Sequence, residues 1–190
     1  MTNRIIPTAT LFLSVFIVGC HSNMSPPQPP SEPIKSAKPN DKQFQDPNTG
    51  VSLMYPSDWK PVPGTKSTLE ISAPANGKGS GTFSFDIPQM PMIAKLGVPI
   101  GRVKSGYIDD AKKKISDDTP SDLTLPSIPN VDQQGLKLTG HSDGKVVIEQ
   151  VDLIVRNNQV YILSVKSDDK NEPFMHSVLE TIIKSVRWTK

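Results

Sequence analysis

Glu172, His176 and Glu180 are the residues with the most chemistry to offer. On a helix they stand one turn apart along one face, and a row of two carboxylates and an imidazole is a donor set that ligates a metal such as zinc. The competing reading is a solvated helix edge, in which Lys184, four residues beyond Glu180, supplies a favourable ion pair. No fourth ligand is visible, so no metal is assigned. His141, Ser142 and Asp143 are the residue types of a hydrolytic triad, yet three neighbours in a turn cannot converge as nucleophile, base and orienter. His141-Ser142-Asp143-Gly144 therefore reads as a turn. Asp117, Asp118 and Asp122, and Asp168 with Asp169, offer oxygen ligands for calcium but lack the spacing of a calcium loop. They read instead as turn and cap residues that bond their own backbone. HExxH, GxSxG and GxGxxG are all absent. The glycines of Asn76-Gly77-Lys78-Gly79-Ser80-Gly81 lack the Lys-Ser/Thr ending of a phosphate loop and read as a hairpin loop. No catalytic residue and no cofactor is assigned.

Cys20 is the only cysteine. It follows a short segment carrying Arg4 and the apolar run Leu11 to Val18, too short to span a bilayer as a helix but suited to the core of an export signal. Ile17-Val18-Gly19-Cys20 resembles the lipobox of bacterial lipoproteins. The resemblance implies that residues 1–19 are a signal peptide, that the Cys20 thiol takes a diacylglyceryl group, and that Cys20 becomes the acylated N-terminus. It also implies export and anchoring to the cell membrane, with an outer-membrane destination in a diderm host, because His21 rather than aspartate follows the cysteine. Each buried CH₂ of an acyl chain contributes about 0.8 kcal/mol, so two or three chains hold a protein firmly to a leaflet. With Cys20 acylated, no thiol is left for a disulfide, a zinc site or a nucleophile.

Residues 20–43 read as the lipidated cysteine and a disordered, proline-rich tether. Pro26, Pro27, Pro29, Pro30, Pro33 and Pro39 alternate with polar residues, and such a segment buries too little surface to offset its ordering entropy. Extended at ~3.1 Å per residue, it reaches roughly 70 Å. Residues 44–190 are the right length for one domain with one core. The net charge is +2, with basic residues spread among acidic ones, so nothing reads as a nucleic-acid footprint.

The elements that position these residues follow from periodicity. Strands are expected at 44–46, 51–55, 69–72 and 82–87, the first two joined by the turn signal Pro47-Asn48-Thr49-Gly50. Val103, Tyr107, Ile108, Ala111 and Ile115 share one face of a helix expected over 102–115, with Lys104, Asp109, Lys112 and Lys113 on the other. A proline-rich connection through Pro120, Pro126 and Pro129 follows. Strands are expected at 135–139, 146–156 and 159–166. The Asn157-Asn158 turn pairs Val155 with Val160, Ile154 with Tyr161 and Leu153 with Ile162. Both faces of that hairpin are apolar, so its strands are central and covered on both sides. A second helix over 173–186 carries the stripe Phe174, Val178, Leu179, Ile182, Ile183 and Val186. The expected fold is α+β, a mostly antiparallel sheet sandwiched by helices.

Asp46 through Gly50-Val51-Ser52-Leu53-Met54-Tyr55-Pro56-Ser57-Asp58-Trp59 resembles the opening of PsbP-like domains, where a hairpin precedes a Tyr-Pro-x-x-Trp element. The ending matches as well: the strand Val160 to Val165, a loop, an amphipathic helix, and the tail Ile183-Lys184-Ser185-Val186-Arg187-Trp188. The resemblance spans Phe44 to Trp188, and its motif residues Tyr55, Pro56 and Trp59 are structural, with Tyr55 and Trp59 expected to close one end of the core. It implies a binding or assembly module presenting a sheet edge or an inter-loop groove to another envelope protein. The alternatives are a hydrolase with an unrecognised site and a photosystem II assembly factor of the PsbP type.

Overall fold

Asn157 and Asn158 adopt φ of 50° and 60°, the left-handed values that a two-residue hairpin requires and that asparagine tolerates. They join two long strands in the register that the side-chain pattern predicts, Val155 opposite Val160, Ile154 opposite Tyr161 and Leu153 opposite Ile162. This hairpin is the centre of the molecule. In the computed structural model the described residues are 41–74, 80–89 and 97–189. Cys20, residues 1–19, the tether up to residue 40 and most of the expected 76–81 loop lie outside them.

The described elements run β1 (Lys42–Gln45), β2 (Val51–Tyr55), β3 (Lys60–Pro61), β4 (Leu69–Ser72), β5 (Thr82–Asp86) and α1 (Ile100–Ala111). They continue through β6 (Ser116–Leu123), β7 (Asp132–Ser142), β8 (Lys145–Arg156), β9 (Gln159–Ser167), α2 (Glu172–Ser185) and β10 (Arg187–Trp188). A seven-stranded sheet has the order β3-β4-β5-β9-β8-β7-β6, and a three-stranded sheet has the order β1-β2-β10. All paired neighbours are antiparallel. With a helix on each face of the large sheet, the architecture is the expected α+β sandwich.

Alternation assigns the faces. Ile71, Phe83, Phe85, Tyr161, Leu163, Val165 and Ile154 point to one side, where they meet Met175, Leu179 and Ile182 of α2 and Val51 and Leu53 of β2 in the main core. Leu136, Leu138, Val151 and Leu153 point to the other side and meet Ala111, with Val103, Tyr107 and Ile108 of α1 packed around them. An aromatic series stitches the small sheet to the large one. Phe44 meets Phe85 at 5.8 Å, Phe85 meets Tyr161 at 6.4 Å, and Tyr161 meets Trp188 at 5.7 Å between ring centroids.

Four expectations are corrected. The proline-rich connection after α1 is partly a strand, because β6 includes Pro120 opposite Leu138. A proline that cannot donate to a ladder is accommodated there because β6 is the outermost strand. Helix α1 stops at Ala111, and Lys112–Lys114 form a turn that brings Ile115 into the core beside β6. The N–H groups of Lys114 and Ile115 both donate to the Ala111 carbonyl, closing that turn. His141 and Ser142 lie inside β7, paired with Val146 and Lys145, so the turn shrinks to Asp143 and Gly144 at φ 50° and 72°. Finally, β1 spans Lys42–Gln45 and so begins two residues ahead of the strand expected at 44–46, because Lys42 and Gln43 pair with Tyr55 and Met54.

Candidate functional site

Helix α2 places Glu172, His176 and Glu180 along the edge that overhangs β7 and β8. Each of them meets a residue other than a metal-ligand partner. Glu172 forms an ion pair with Lys137 of β7 and accepts a 3.0 Å hydrogen bond from the Gln150 amide of β8. The Gln150 carbonyl lies 2.9 Å from His176 Nδ1, and His176 Nε2 is 3.7 Å from Glu180 Oε1. Lys184 closes the series 3.5 Å from Glu180 Oε2. The product is a polar strip, Lys137–Glu172–Gln150–His176–Glu180–Lys184, that pins the helix to the sheet. Among the described residues no group of three His, Cys, Asp or Glu is gathered to hold a metal. Lys137 and Gln150, directly opposed across β7 and β8, complete this strip, and only the sheet register reveals them.

A second polar cluster lies on the opposite face of the sheet, beside α1. Glu149 is almost fully buried and accepts a 2.8 Å bond from the Tyr107 hydroxyl, with Lys166 3.3 Å away. Burial first, and then the Glu149 charge, hold the Tyr107 phenol well above its ordinary range. Asp86 is raised mainly by burial, partly offset by a hydrogen bond from Ser67. Together with Glu70, Ser84 and Ser164 these groups line a cavity of about 220 Å³. The hydroxyl and the ammonium already occupy the Glu149 carboxylate, so the geometry is that of a satisfied network fastening α1 to the sheet. Alternating polar positions of β4, β5 and β9 carry the signal for it, but the pairing partners are non-local.

Of the remaining acidic candidates, Asp168, Asp169 and Asp122 are engaged locally, whereas Asp118 Oδ2 is buried and meets no hydrogen-bond partner among the described residues. Asp168 accepts bonds from the backbone N–H and side-chain amide of Asn171 at 2.9 and 2.7 Å, and Asp169 accepts from Lys170 N–H. Asp122 pairs with Lys104, and Asp117 occupies a left-handed turn position at φ 55°. His141, Ser142 and Asp143 are consecutive along β7 and its turn, so His141 and Ser142 face opposite sides of the sheet.

The residues of the Tyr-Pro-x-x-Trp element build the third feature. Trp59 is buried in the main core, and its backbone N–H donates to the Pro56 carbonyl at 3.2 Å. Tyr55 is half-buried against the same core. Tyr55, Pro56 and Asp58 then form one wall of a groove of about 420 Å³, whose other wall is Phe174, Val178 and Ile182 of α2. Asp41, the first described residue after the tether, stands on its rim. Phe174 is 37% exposed there and is one of two large hydrophobic residues so exposed among those described. The groove is held open by Ser185, which accepts a 2.8 Å bond from Met54 N–H and donates to the Ile182 carbonyl, locking α2 against β2.

No protein-family model matches the chain, and no match was found among curated protein sequences. Solved structures do match. Cyanobacterial PsbP (CyanoP) from Synechocystis sp. PCC 6803 is 13% identical, with a TM-score of 0.53, over 80% of this chain and 94% of that one. A protein from Bacteroides thetaiotaomicron VPI-5482 is 17% identical with a TM-score of 0.50, over 80% of this chain. The matched region spans 49% of that protein, about half its length. LpqN of Mycobacterium tuberculosis, described as involved in cell envelope biogenesis, is 15% identical with a TM-score of 0.49. The likeness to CyanoP shows that the fold is PsbP-like.

Proposed function

We propose that this chain is a lipid-anchored, non-catalytic binding module of the cell envelope, tethered through Cys20 and offering the groove between α2 and Tyr55–Asp58 to another envelope protein. The observation that carries this reading is Phe174, a large ring left exposed beside a partly apolar groove while Val178 and Ile182, on the same helical stripe, are buried. The sheet edges are poor alternatives. The β6 edge carries Pro120, three aspartates and a register shift, devices that block strand addition, and β3 is two residues long and ends in Pro61. Asp41 and Asp58 on the rim give the groove an acidic border. The partner segment is therefore apolar with basic flanks. No helix among the described residues is long and apolar enough to cross a membrane.

The test is recovery from crosslinked membranes with a photoreactive residue at exposed Ser177, beside the groove, and a control at exposed Lys145. A specific adduct from position 177, lost with Phe174→Asp, is the expected result. Recovery that is indifferent to Phe174→Asp, or no partner above background together with turnover of a substrate, overturns the reading in favour of an enzyme.

A further inference from the structure

We propose that a depression beside the C-terminal end of α2 binds a phosphate-type anion through Arg156, Lys184 and Arg187, grouped around Trp188. The cavity measures about 440 Å³, and every charged residue in its lining is basic. The chain as a whole carries 21 basic and 19 acidic residues, so this local surplus is not a consequence of overall composition. Two guanidinium groups beside an ammonium suit an oxyanion that accepts several parallel hydrogen bonds, which is the chemistry of phosphate.

The basic groups are held in place rather than dispersed. Trp188 is fixed by the β10–β2 pairing and by its edge contact with Tyr161. The Arg156 guanidinium lies 5.0 Å from the Trp188 ring centroid, a cation–π arrangement. Arg187 donates through Nη1 to the carbonyls of Lys184 and Val186 at 2.9 and 2.7 Å, leaving the N–H groups on Nη2 and Nε for a ligand. Capping alone would account for Arg187, since the end of a helix carries partial negative charge. It accounts for neither Arg156, which comes from β8, nor the cavity. Lys184 is half-exposed and meets Glu180 at 3.5 Å, a loose pair that a more highly charged anion displaces.

A phospholipid head group and a soluble phosphoester share this chemistry, and the experiment separates them. The full chain is titrated with inorganic phosphate and glycerol 3-phosphate while tryptophan fluorescence is followed, with chloride at matched ionic strength as the control. In the second arm it meets vesicles of phosphatidylcholine with and without phosphatidylglycerol. A saturable change with the soluble phosphates identifies a soluble ligand; a change confined to phosphatidylglycerol vesicles identifies a lipid head group. In either case Lys184→Glu and Arg156→Gln weaken it by about tenfold or more, the effect of losing a charged hydrogen bond. Lys184→Glu also breaks the Glu180 pair, so the unfolding midpoint is followed alongside, and Lys184→Gln, which adds no like charge to the helix end, separates lost binding from lost fold. No saturable change beyond chloride in either arm, or a response equal in wild type and Lys184→Glu, overturns the proposal. The Phe174 groove is not involved, so either outcome leaves the partner-binding reading to its own test.

Discussion

Asp152 lies in the middle of β8 with no exposed surface, bonded through one oxygen to the Gln133 amide at 2.8 Å. Its other oxygen meets no donor among the described residues. Burial pushes its carboxyl up from 3.8 to about 7, with the Gln133 bond acting in the opposite direction. The sign for stability follows from which state holds the proton. Below 3.8 the group is neutral in both states and its contribution is fully present. Between 3.8 and about 7 the unfolded chain has released the proton that the folded chain still retains. Stability then falls by up to about 1.4 kcal/mol per pH unit until the folded carboxyl also ionises. Asp152→Asn keeps the shape and removes the titration. The variant is expected to unfold at a higher temperature than wild type above about pH 7 and to lose the slope below it, as read by thermal denaturation across pH. A variant less stable than wild type at high pH would show that the carboxylate is productively paired.

The joints between elements rest on single contacts of two kinds. Ser185 bridges the end of α2 to the backbone of β2, so Ser185→Ala leaves the Met54 N–H without its acceptor. A loss of about 1–3 kcal/mol, measured by urea denaturation, is expected. Gly135 works by absence: a methyl group there would stand 2.1 Å from the Leu123 carbonyl oxygen of β6. Gly135→Ala must therefore push the edge strand away. Amide exchange is expected to speed up across β6 while β8 and β9 keep their protection, and uniform acceleration across the sheet would contradict this local account. Pro120 in the same strand is why the sequence after α1 reads as a connection rather than a strand. Proline argues against a central strand, but whether a strand is central depends on pairings across the whole sheet.

Across the whole molecule, each face of the large sheet is half apolar and half polar, and the two helices sit on opposite apolar halves. Helix α2 covers Phe83, Phe85, Leu163 and Val165, leaving Lys137 and Gln150 at its edge. Helix α1 covers Leu136, Leu138, Val151 and Leu153, leaving Glu70, Ser84 and Lys166 beside it. This diagonal arrangement produces two polar clusters, in which Glu172, Glu180 and Glu149 each pair with a lysine. The proposed anchor belongs to this scale too. Cys20→Ala removes the proposed acylation site, and processing that requires the modified cysteine then stops. The variant is expected to stay a membrane-bound precursor, seen by its larger mass in the membrane fraction. Soluble, normally processed protein from that variant would reassign residues 1–19 as an ordinary signal peptide.

Local signals were sufficient wherever neighbours in sequence are neighbours in space. The Asn157-Asn158 hairpin, the two amphipathic helices and the period-two strands could be read directly, because turn geometry and side-chain periodicity act over a few residues. Asp46 and Gly50 belong to this class: the carboxylate accepts from Thr49 N–H and its hydroxyl, both at 2.7 Å, within its own turn. The Glu172, His176 and Glu180 row was also visible as a row. What those side chains meet was not, since Lys137 and Gln150 arrive through sheet pairing and lie far from them along the chain. The same holds for the Tyr107–Glu149 bond, for the Phe174 groove and for Arg156 over Trp188. Sequence alone determined the two helices, the central hairpin and most other strands with their apolar faces; the tertiary structure decided the edge strand β6, which polar groups are paired and which cavities remain, because these depend on contacts between distant strands.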